Sequence, residues 1–280
     1  MKDTSDSLPP AAERDFRVFR KSVPLQLKLR EVSQALGETD GLVCLDMGAQ
    51  NSMLSYRLRK RGGDWHTVLG DASRAESYEA VLGENVHLLD GEALPFEDKM
   101  FSVAVVTDFL ERVKSVDAFI EECHRVLMPD GRLIVNVRRP KPFSVIGPLR
   151  RMLGVGYETA EHARPGYSES ELFNILKHGF NVHNMRSYSR FFVEFTDILV
   201  RFLARRIEEK DRAGEAGLKR LYAVAGPLYE LARQLDMLFF LTRGHNLIAT
   251  AVRRTWRPRN APVLTDGRTI TEAVLSKAAR

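Results

Sequence analysis

Four aspartates stand at or near the ends of successive apolar segments, where carboxylates could surround one ligand. They are Asp46, Asp71, Asp90 and Asp108. Carboxylates at such positions can accept hydrogen bonds from ribose hydroxyls or from an adenine amino group. Asp71 also stands 23 residues after Gly48, which is close to the spacing of the ribose-binding acid in nucleotide-binding folds. The pattern therefore predicts a nucleotide-type ligand.

The turn after Met47 leaves the identity of that ligand open. Its sequence is DMGAQNS, with Gln50 and Ser52 where further glycines would let a pyrophosphate approach the backbone. A nicotinamide cofactor is therefore disfavoured, and a ligand without phosphates tolerates the side chains better. A purely structural turn remains an alternative. Asn51 and Ser52 are good residues to begin a helix, so we expect the turn itself to form.

Strand and helix patterns alternate through the first half of the chain, which predicts a parallel sheet with helices on both faces. In such sheets a ligand binds beyond the carboxyl ends of the strands, where the four aspartates stand. Helical spacing of apolar residues from Phe191 onward predicts a helical insertion before the last strand. We expect its second helical region to be broken at Gly226-Pro227.

These patterns divide the chain into four parts. We predict an N-terminal tail and helical region at 1–37, a core at 38–190 plus 244–255, the helical insertion at 191–243, and a C-terminal tail at 256–280.

Two blocks carry a resemblance to a known family. The segments GEALPFEDKMFSVAVV and RVLMPDGRLIV, at their spacing after the glycine turn, resemble the class I S-adenosylmethionine-dependent methyltransferases, in particular the group that includes quinone-biosynthesis enzymes. The resemblance covers about residues 40–138. It implies a Rossmann-like fold with a mostly parallel seven-stranded sheet, S-adenosylmethionine as cofactor, and methyl transfer by in-line displacement.

The resemblance also implies roles for individual residues. The methionine part of the cofactor would face Asp46, Gly48, Ala49 and Gln50. Asp71, with Ala72 beside it, would bind the ribose, and Asp90, Gly91 and Glu92 would contact adenine. Thr107 and Asp108 would line the pocket beside the reactive methyl group.

Methyl transfer to oxygen or nitrogen needs a proton acceptor in some cases. Asp108, His162 and Tyr167 are the predicted catalytic residues, and Tyr188 is a further candidate. Glu111 is interpreted as a supporting residue. No His/Cys/Asp cluster has the spacing of metal ligands, so no metal is expected.

The formal net charge of +5 is too small to specify a partner class. Nucleic acid is disfavoured because the arginines are dispersed and no reader motif is present. The apolar insertion and the basic stretch 138–151 favour a small-molecule or lipid-linked acceptor, with peripheral membrane contact through 138–151. A homodimer through 191–243 is a further hypothesis.

We expect a cytoplasmic protein, with the inner membrane face as the candidate place of contact, because no secretory signal or spanning segment is evident. The alternative function is a catalytically inactive binding or assembly protein that keeps the fold. The altered glycine turn motivates this alternative.

Overall fold

A computed structural model describes residues 10–48, 51–89, 91, 93–140, 146–154, 164–210, 215–238 and 244–255. Its helices are α1 (Pro10–Lys21), α2 (Val23–Leu36), α3 (Ser52–Arg59), α4 (Ala75–Leu82), α5 (Val116–Val126), α6 (Ile146–Met152), α7 (Glu169–Leu176), α8 (Phe191–Lys210) and α9 (Glu215–Leu238). Its strands are β1 (Val43–Met47), β2 (Asp64–Leu69), β3 (Val86–Leu88), β4 (Phe101–Thr107), β5 (Leu127–Arg138), β6 (Phe180–Tyr188) and β7 (Asn246–Arg253). A short 3-10 helix, Ala72–Arg74, precedes α4.

The strands form one seven-stranded sheet in the order β3-β2-β1-β4-β5-β7-β6. The strands from β3 to β5 pair in parallel, whereas β7 pairs antiparallel with both β5 and β6. The predicted α/β fold with a mostly parallel seven-stranded sheet is therefore confirmed. The helical insertion before the last strand is confirmed as well, as α8 and α9.

Each face of the sheet is covered by its own hydrophobic cluster. On one face, Leu45, Met47 and Val106 belong to the cluster that includes α5 and α7. On the other face, Val103, Val105 and Ile134 pack with residues of α2 and α3. Because successive side chains of β4 and β5 point to opposite faces of the sheet, the position of a residue along the strand determines which helices it faces.

Local sequence signals explain where several helices begin. The Ser22 hydroxyl accepts a hydrogen bond from the Leu25 N–H and begins α2, and Pro24 follows in the first turn, where its missing donor costs little. Ser168 and Glu171 form a capping box at the start of α7.

The predicted break of the second insertion helix is wrong. Helix α9 runs from Glu215 to Leu238 with Pro227 inside it. Gly226 and Pro227 are exposed, so the proline ring lies on the solvent side of the helix, where it disturbs no packing with α8. Ala225 and Tyr229, on either side of them, are buried and pack with Val200 of α8, which stabilises the helix across the proline.

A buried ionic network joins the insertion to α6. Arg150 donates to Glu194 Oε2 at 2.8 Å and to Asp197 Oδ2 at 3.2 Å, and all three side chains are almost fully buried. Because breaking a buried ion pair leaves an uncompensated charge, this network fixes α6 against α8. Among the described residues, no helix combines the length and hydropathy that crossing a membrane would require.

Candidate active site

The candidate site lies at the carboxyl edge of the parallel strands. β1 pairs with β2 on one side and with β4 on the other, so the chain order reverses there. Open α/β sheets bind ligands at such a reversal. We call the ends of β1, β2 and β3 the open half, and the ends of β4 and β5, which lie beneath α2, the covered half.

Two glycines leave the strand ends of the open half without side chains. Gly48 has φ +82°, in the left-handed region, and a Cβ placed there would lie 2.2 Å from Cδ2 of Phe109. A Cβ at Gly70 would lie 3.1 Å from Cε2 of the same ring. Glycine is therefore required at position 48 for two reasons, which are the backbone conformation and the close packing of the Phe109 ring. The ring of Phe109 joins the end of β4 to the ends of β1 and β2.

Asp71 lies at the end of β2, partly exposed, and Ala72 and Gly91 beside the open half are exposed. The Asp71 carboxylate accepts from the Ser73 N–H at 2.9 Å and from the Ser73 hydroxyl at 2.6 Å. These two bonds lower the pKa of Asp71, so the side chain is a carboxylate at neutral pH. Its oxygens keep acceptor capacity toward solvent.

The replacement of glycine by Ser52 does not obstruct the open half. The Ser52 N–H and hydroxyl both donate to Asp15 Oδ2 of α1, each at 2.8 Å, and the Ser77 hydroxyl of α4 donates to the same oxygen at 3.2 Å. Asn51 caps α3 by accepting from the Met53 N–H. The side chain at 52 therefore faces α1 and α4, and it ties the N-terminal region to the turn.

Asp46 lies beneath the turn. Its side chain is fully buried and its Oδ2 accepts a hydrogen bond from the Ser55 hydroxyl of α3. Burial raises the pKa of Asp46 to about 6, against the opposing effect of the bond from Ser55. Among the described residues, none donates a hydrogen bond to Asp46 Oδ1.

The covered half is centred on an ion pair that the sequence did not reveal. Asp108 follows β4 with φ +51°, and its carboxylate pairs with the ammonium of Lys28 from α2. Both residues are buried. Lys28 shares the buried stripe of α2 with Val32 and Leu36, at four-residue spacing, and a lysine on such a stripe is the signal that could have identified it.

Thr107, Asn136 and Tyr188 lie beside this pair on the same face of the sheet. Thr107 and Asn136 are register partners in β4 and β5. Asn136 Nδ2 donates to the Tyr188 hydroxyl, and Tyr188 packs in the cluster that includes α2. Burial, followed by the negative charge of Asp108, raises the pKa of Tyr188 well above its ordinary value, so its hydroxyl stays protonated.

Glu111 is completely buried on the loop after β4. Its Oε1 accepts from the Arg138 N–H at 2.7 Å, while Oε2 receives no hydrogen bond from the described residues. Burial, and secondly the charge of Asp108, raise the pKa of Glu111 to about 7. The interpretation of Glu111 as a support fits its bond to the end of β5, and its raised pKa adds a group that titrates near neutrality.

The other predicted site residues are less central or lie outside the described residues. Tyr167 is buried and donates from its hydroxyl to the Leu110 carbonyl at 2.9 Å, beneath the loop that carries Glu111. The remaining predicted positions fall outside the described residues: Ala49, Gln50, Asp90, Glu92 and His162. The structure thus brings Gly48, Asp71 and Asp108 to one edge of the sheet, and it places Asp46 beneath that edge.

The open half has the chemistry that an adenosyl group requires. An accessible carboxylate at Asp71 can accept from a ribose hydroxyl pair, and Gly48 and Gly70 allow a ligand to approach the backbone. S-adenosylmethionine therefore fits the residues that are present. Gly48 and Asp71 would hold it, with Gly91 alongside.

Comparison with known proteins agrees with this geometry. A family model described as a methyltransferase domain matches residues 45–135, which run from β1 through β5. Two curated relatives are named for quinone biosynthesis. The ubiquinone/menaquinone biosynthesis C-methyltransferase UbiE of Paraburkholderia phymatum is 32% identical over 103 residues, which cover 34% of this chain and 42% of that protein. The ubiquinone biosynthesis O-methyltransferase of Leptothrix cholodnii is 27% identical over 173 residues, covering 55% and 70%.

Solved structures share the fold. The [4+2]-cyclase SpnF superposes with a TM-score of 0.54 at 18% identity, covering 82% of each chain. Phosphoethanolamine N-methyltransferase 2 of Haemonchus contortus, in complex with S-adenosyl-L-methionine, gives 0.52 at 16% identity, covering 82% of this chain and 52% of that one. A cyclase and a methyltransferase on one fold show that fold alone does not fix the chemistry.

The first curated relatives are matched over 42% of their length, and the match lies in the part that forms the strand ends described above. The family model and the sheet order agree over that part. Residues 45–135 thus match a methyltransferase domain, and they form the strand ends that carry the candidate site.

Proposed function

We propose that this protein transfers a methyl group from S-adenosylmethionine to a small-molecule acceptor by in-line displacement. The observation that carries the proposal is the coincidence of the methyltransferase domain at 45–135 with a glycine-lined strand edge ending in the Asp71 carboxylate. The cofactor, when bound, supplies an activated methyl group. The chain's own contribution is mainly to position the acceptor.

The two halves of the site divide that work. Asp71, at the end of β2, holds the ribose, and the bare backbone at Gly48 and Gly70 allows close approach. Asp108, at the end of β4, lies on the other side of the reversal point, where the acceptor binds. α2 covers Asp108 and so excludes water from the acceptor.

A lipid-linked acceptor is the finer form of this proposal. The relatives in Paraburkholderia and Leptothrix are named for quinone biosynthesis. In addition, α8 exposes four apolar side chains at four-residue spacing, Phe191, Phe195, Leu199 and Leu203. Four large apolar side chains along one helix face would favour an acceptor that carries a hydrophobic tail.

Calorimetry and labelled methyl transfer test the proposal in sequence. Titration with S-adenosylmethionine and with S-adenosylhomocysteine should give saturable binding of both. Labelled S-adenosylmethionine is then supplied with matched phenolic acceptors, one member of each pair carrying a polyprenyl tail in detergent. Transfer to the tailed member at a higher kcat/KM supports the lipid-linked form. Binding without transfer to any member would favour the inactive binding protein, and absence of binding would refute the cofactor assignment.

A further inference from the structure

The burial of Lys28 needs an explanation beyond helix packing. Lysine is rarely buried unless it is paired, and an apolar residue would continue the stripe of Val32 and Leu36 at less cost. The C-terminal end of α2 lies near the beginning of the sheet's central strands, where Arg132 donates to the Leu36 carbonyl at 3.0 Å. Its N-terminal half therefore lies over the carboxyl ends of β4 and β5, and it brings the ammonium to Asp108.

The surroundings of the pair contain polar atoms that the described residues leave without partners. The hydroxyl of Thr107 and Oδ1 of Asn136 have no hydrogen bond there, although the two residues are 1% and 0% exposed. A buried polar atom without a partner is energetically costly, so such an atom calls for an explanation, and a bound ligand or water is one. Both belong to register partners immediately beside Asp108.

Hydrogen-bond donors and hydrogen-bond acceptors therefore lie together around Asp108. The ammonium of Lys28 and the hydroxyls of Thr107 and Tyr188 can donate, whereas the carboxylate of Asp108 and Oδ1 of Asn136 can accept. The charges of Lys28 and Asp108 cancel, and the nearby Glu111 has a pKa raised to about 7. A neutral molecule that carries a hydroxyl group matches this set better than a cation or a fully charged anion does.

We infer that Lys28 is a positioning residue of the acceptor site, where it holds the Asp108 carboxylate toward the acidic hydroxyl of a phenol or enol acceptor. This inference rests on the proposed function, and it adds the chemical class of the acceptor. It also makes α2 a wall of the site.

The step assigned to this pair is a proton transfer. The acceptor's O–H bond breaks, its electron pair stays on the acceptor oxygen, and the proton passes to a carboxylate oxygen of Asp108. The ammonium of Lys28 then stabilises the negative charge that the acceptor has gained. A phenolate or enolate oxygen, or a ring carbon conjugated to it, is a stronger nucleophile toward the methyl group that the cofactor supplies.

Binding of two small probes tests this without knowledge of the natural acceptor. 4-Methylphenol and 4-methylanisole differ by a methyl group on the oxygen, so the ether cannot donate a proton, and the phenol is un-ionised at neutral pH. Both are titrated into the full chain with and without saturating S-adenosylhomocysteine. For the wild type we expect the phenol to bind at least about tenfold more tightly than the ether, since a hydrogen bond to a charged group contributes about 1.5–3 kcal/mol.

Variants at Lys28 separate positioning from simple packing. Lys28→Gln removes the charge and should reduce the phenol preference to less than about twofold, whereas Lys28→Arg keeps the charge and should retain most of it. The double variant Lys28→Gln/Asp108→Asn removes both charges of the pair, so neither is left buried without its partner. It should therefore fold even if Lys28→Gln does not, and it should show no phenol preference.

Three results would overturn the inference. They are equal binding of phenol and ether by the wild type, a phenol preference that survives in the double variant, and a preference lost in Lys28→Arg while that variant keeps wild-type stability. Binding of S-adenosylhomocysteine is measured separately for each protein. If it fails in the wild type, the proposed function fails, whereas normal binding without a phenol preference counts against this inference alone.

Discussion

The two halves of the candidate site differ in how they are built. In the open half, the predicted ligand-binding carboxylate is held by short-range bonds, those from Ser73 to Asp71, although the turn itself is also tied to α1 through Ser52 and Asp15. The covered half is built from residues far apart in the chain, because Lys28 and Asp108 are separated by 80 positions and Asn136 and Tyr188 by 52. The open half thus offers the same local features to any adenosyl ligand, while the covered half depends on how this chain folds its N-terminal helices.

This difference separates what is common to the fold from what is particular to this chain. The domain that the family model matches at 45–135 contains Gly48, Asp71 and Asp108 but not Lys28 or Tyr188. Of these, Gly48 and Asp71 are the residues that the proposed function assigns to the cofactor. The residues that the inference above adds to the acceptor side, Lys28 and Tyr188, lie on α2 and β6, outside that domain.

The largest expected effect concerns the contact that joins the two halves. Gly48→Ala should destabilise the protein by about 2–5 kcal/mol. A left-handed backbone costs about 1–2 kcal/mol for a residue with a Cβ, and forcing that Cβ against the Phe109 ring adds about 1–3 kcal/mol of overpacking. Urea denaturation without ligand measures the change.

Gly41→Ala is the matched control for that variant. Gly41 has φ +73° in the turn where the Leu42 N–H donates to the Thr39 carbonyl, but a Cβ at this position would meet no atom within 4 Å, so only the backbone cost of about 1–2 kcal/mol applies. Equal losses at the two glycines would show that Phe109 does not press on the turn. The two halves would then be mechanically independent.

The second effect belongs to the covered half and depends on pH. Burial and the charge of Asp108 raise the pKa of Glu111 from 4.5 to about 7, so ionisation of this group opposes folding. The stability that the folded protein gains by holding Glu111 in its protonated form is complete below pH 4.5, and it is lost as the pH rises through 7. Glu111→Gln removes this titration, and the variant should gain about 2–3 kcal/mol relative to the wild type between pH 5 and pH 8.

Urea denaturation of both proteins at the two pH values gives this difference directly. Asp46, whose pKa is raised to about 6, titrates in both proteins and cancels in the comparison. A stability gap that stays constant between pH 5 and pH 8 would mean that Glu111 is solvated in the folded protein. The covered half would then be less sealed than the structure indicates.

The open half could be predicted from the sequence because its signals are local. A short apolar run, a glycine and an acid at a fixed distance place Gly48 and Asp71 at a strand edge before any tertiary contact is known. The ion pair could not be predicted in this way, because the direction in which α2 crosses the sheet decides which carboxylate Lys28 meets. Similarly, the predicted break at Gly226-Pro227 failed because burial of Tyr229 against α8 outweighed a local helix-breaking signal.

The smallest expected effect concerns the open half, and it distinguishes the two roles of Asp71, ligand binding and capping of the 3-10 helix. Asp71→Ala should weaken S-adenosylhomocysteine binding by about 1.5–3 kcal/mol, or roughly 10–150-fold in Kd, the usual contribution of hydrogen bonds to a charged group. The same variant also loses the cap on the 3-10 helix, which is worth about 1 kcal/mol of stability.

Ser73→Ala is the control, because it removes one of the two bonds to the carboxylate and leaves the carboxylate itself in place. If Asp71 binds the ribose, calorimetry should show a large loss for Asp71→Ala and less than about a threefold change for Ser73→Ala. Equal losses in the two variants would instead make Asp71 a structural cap, and recognition of the ligand would have to come from other residues of the open half.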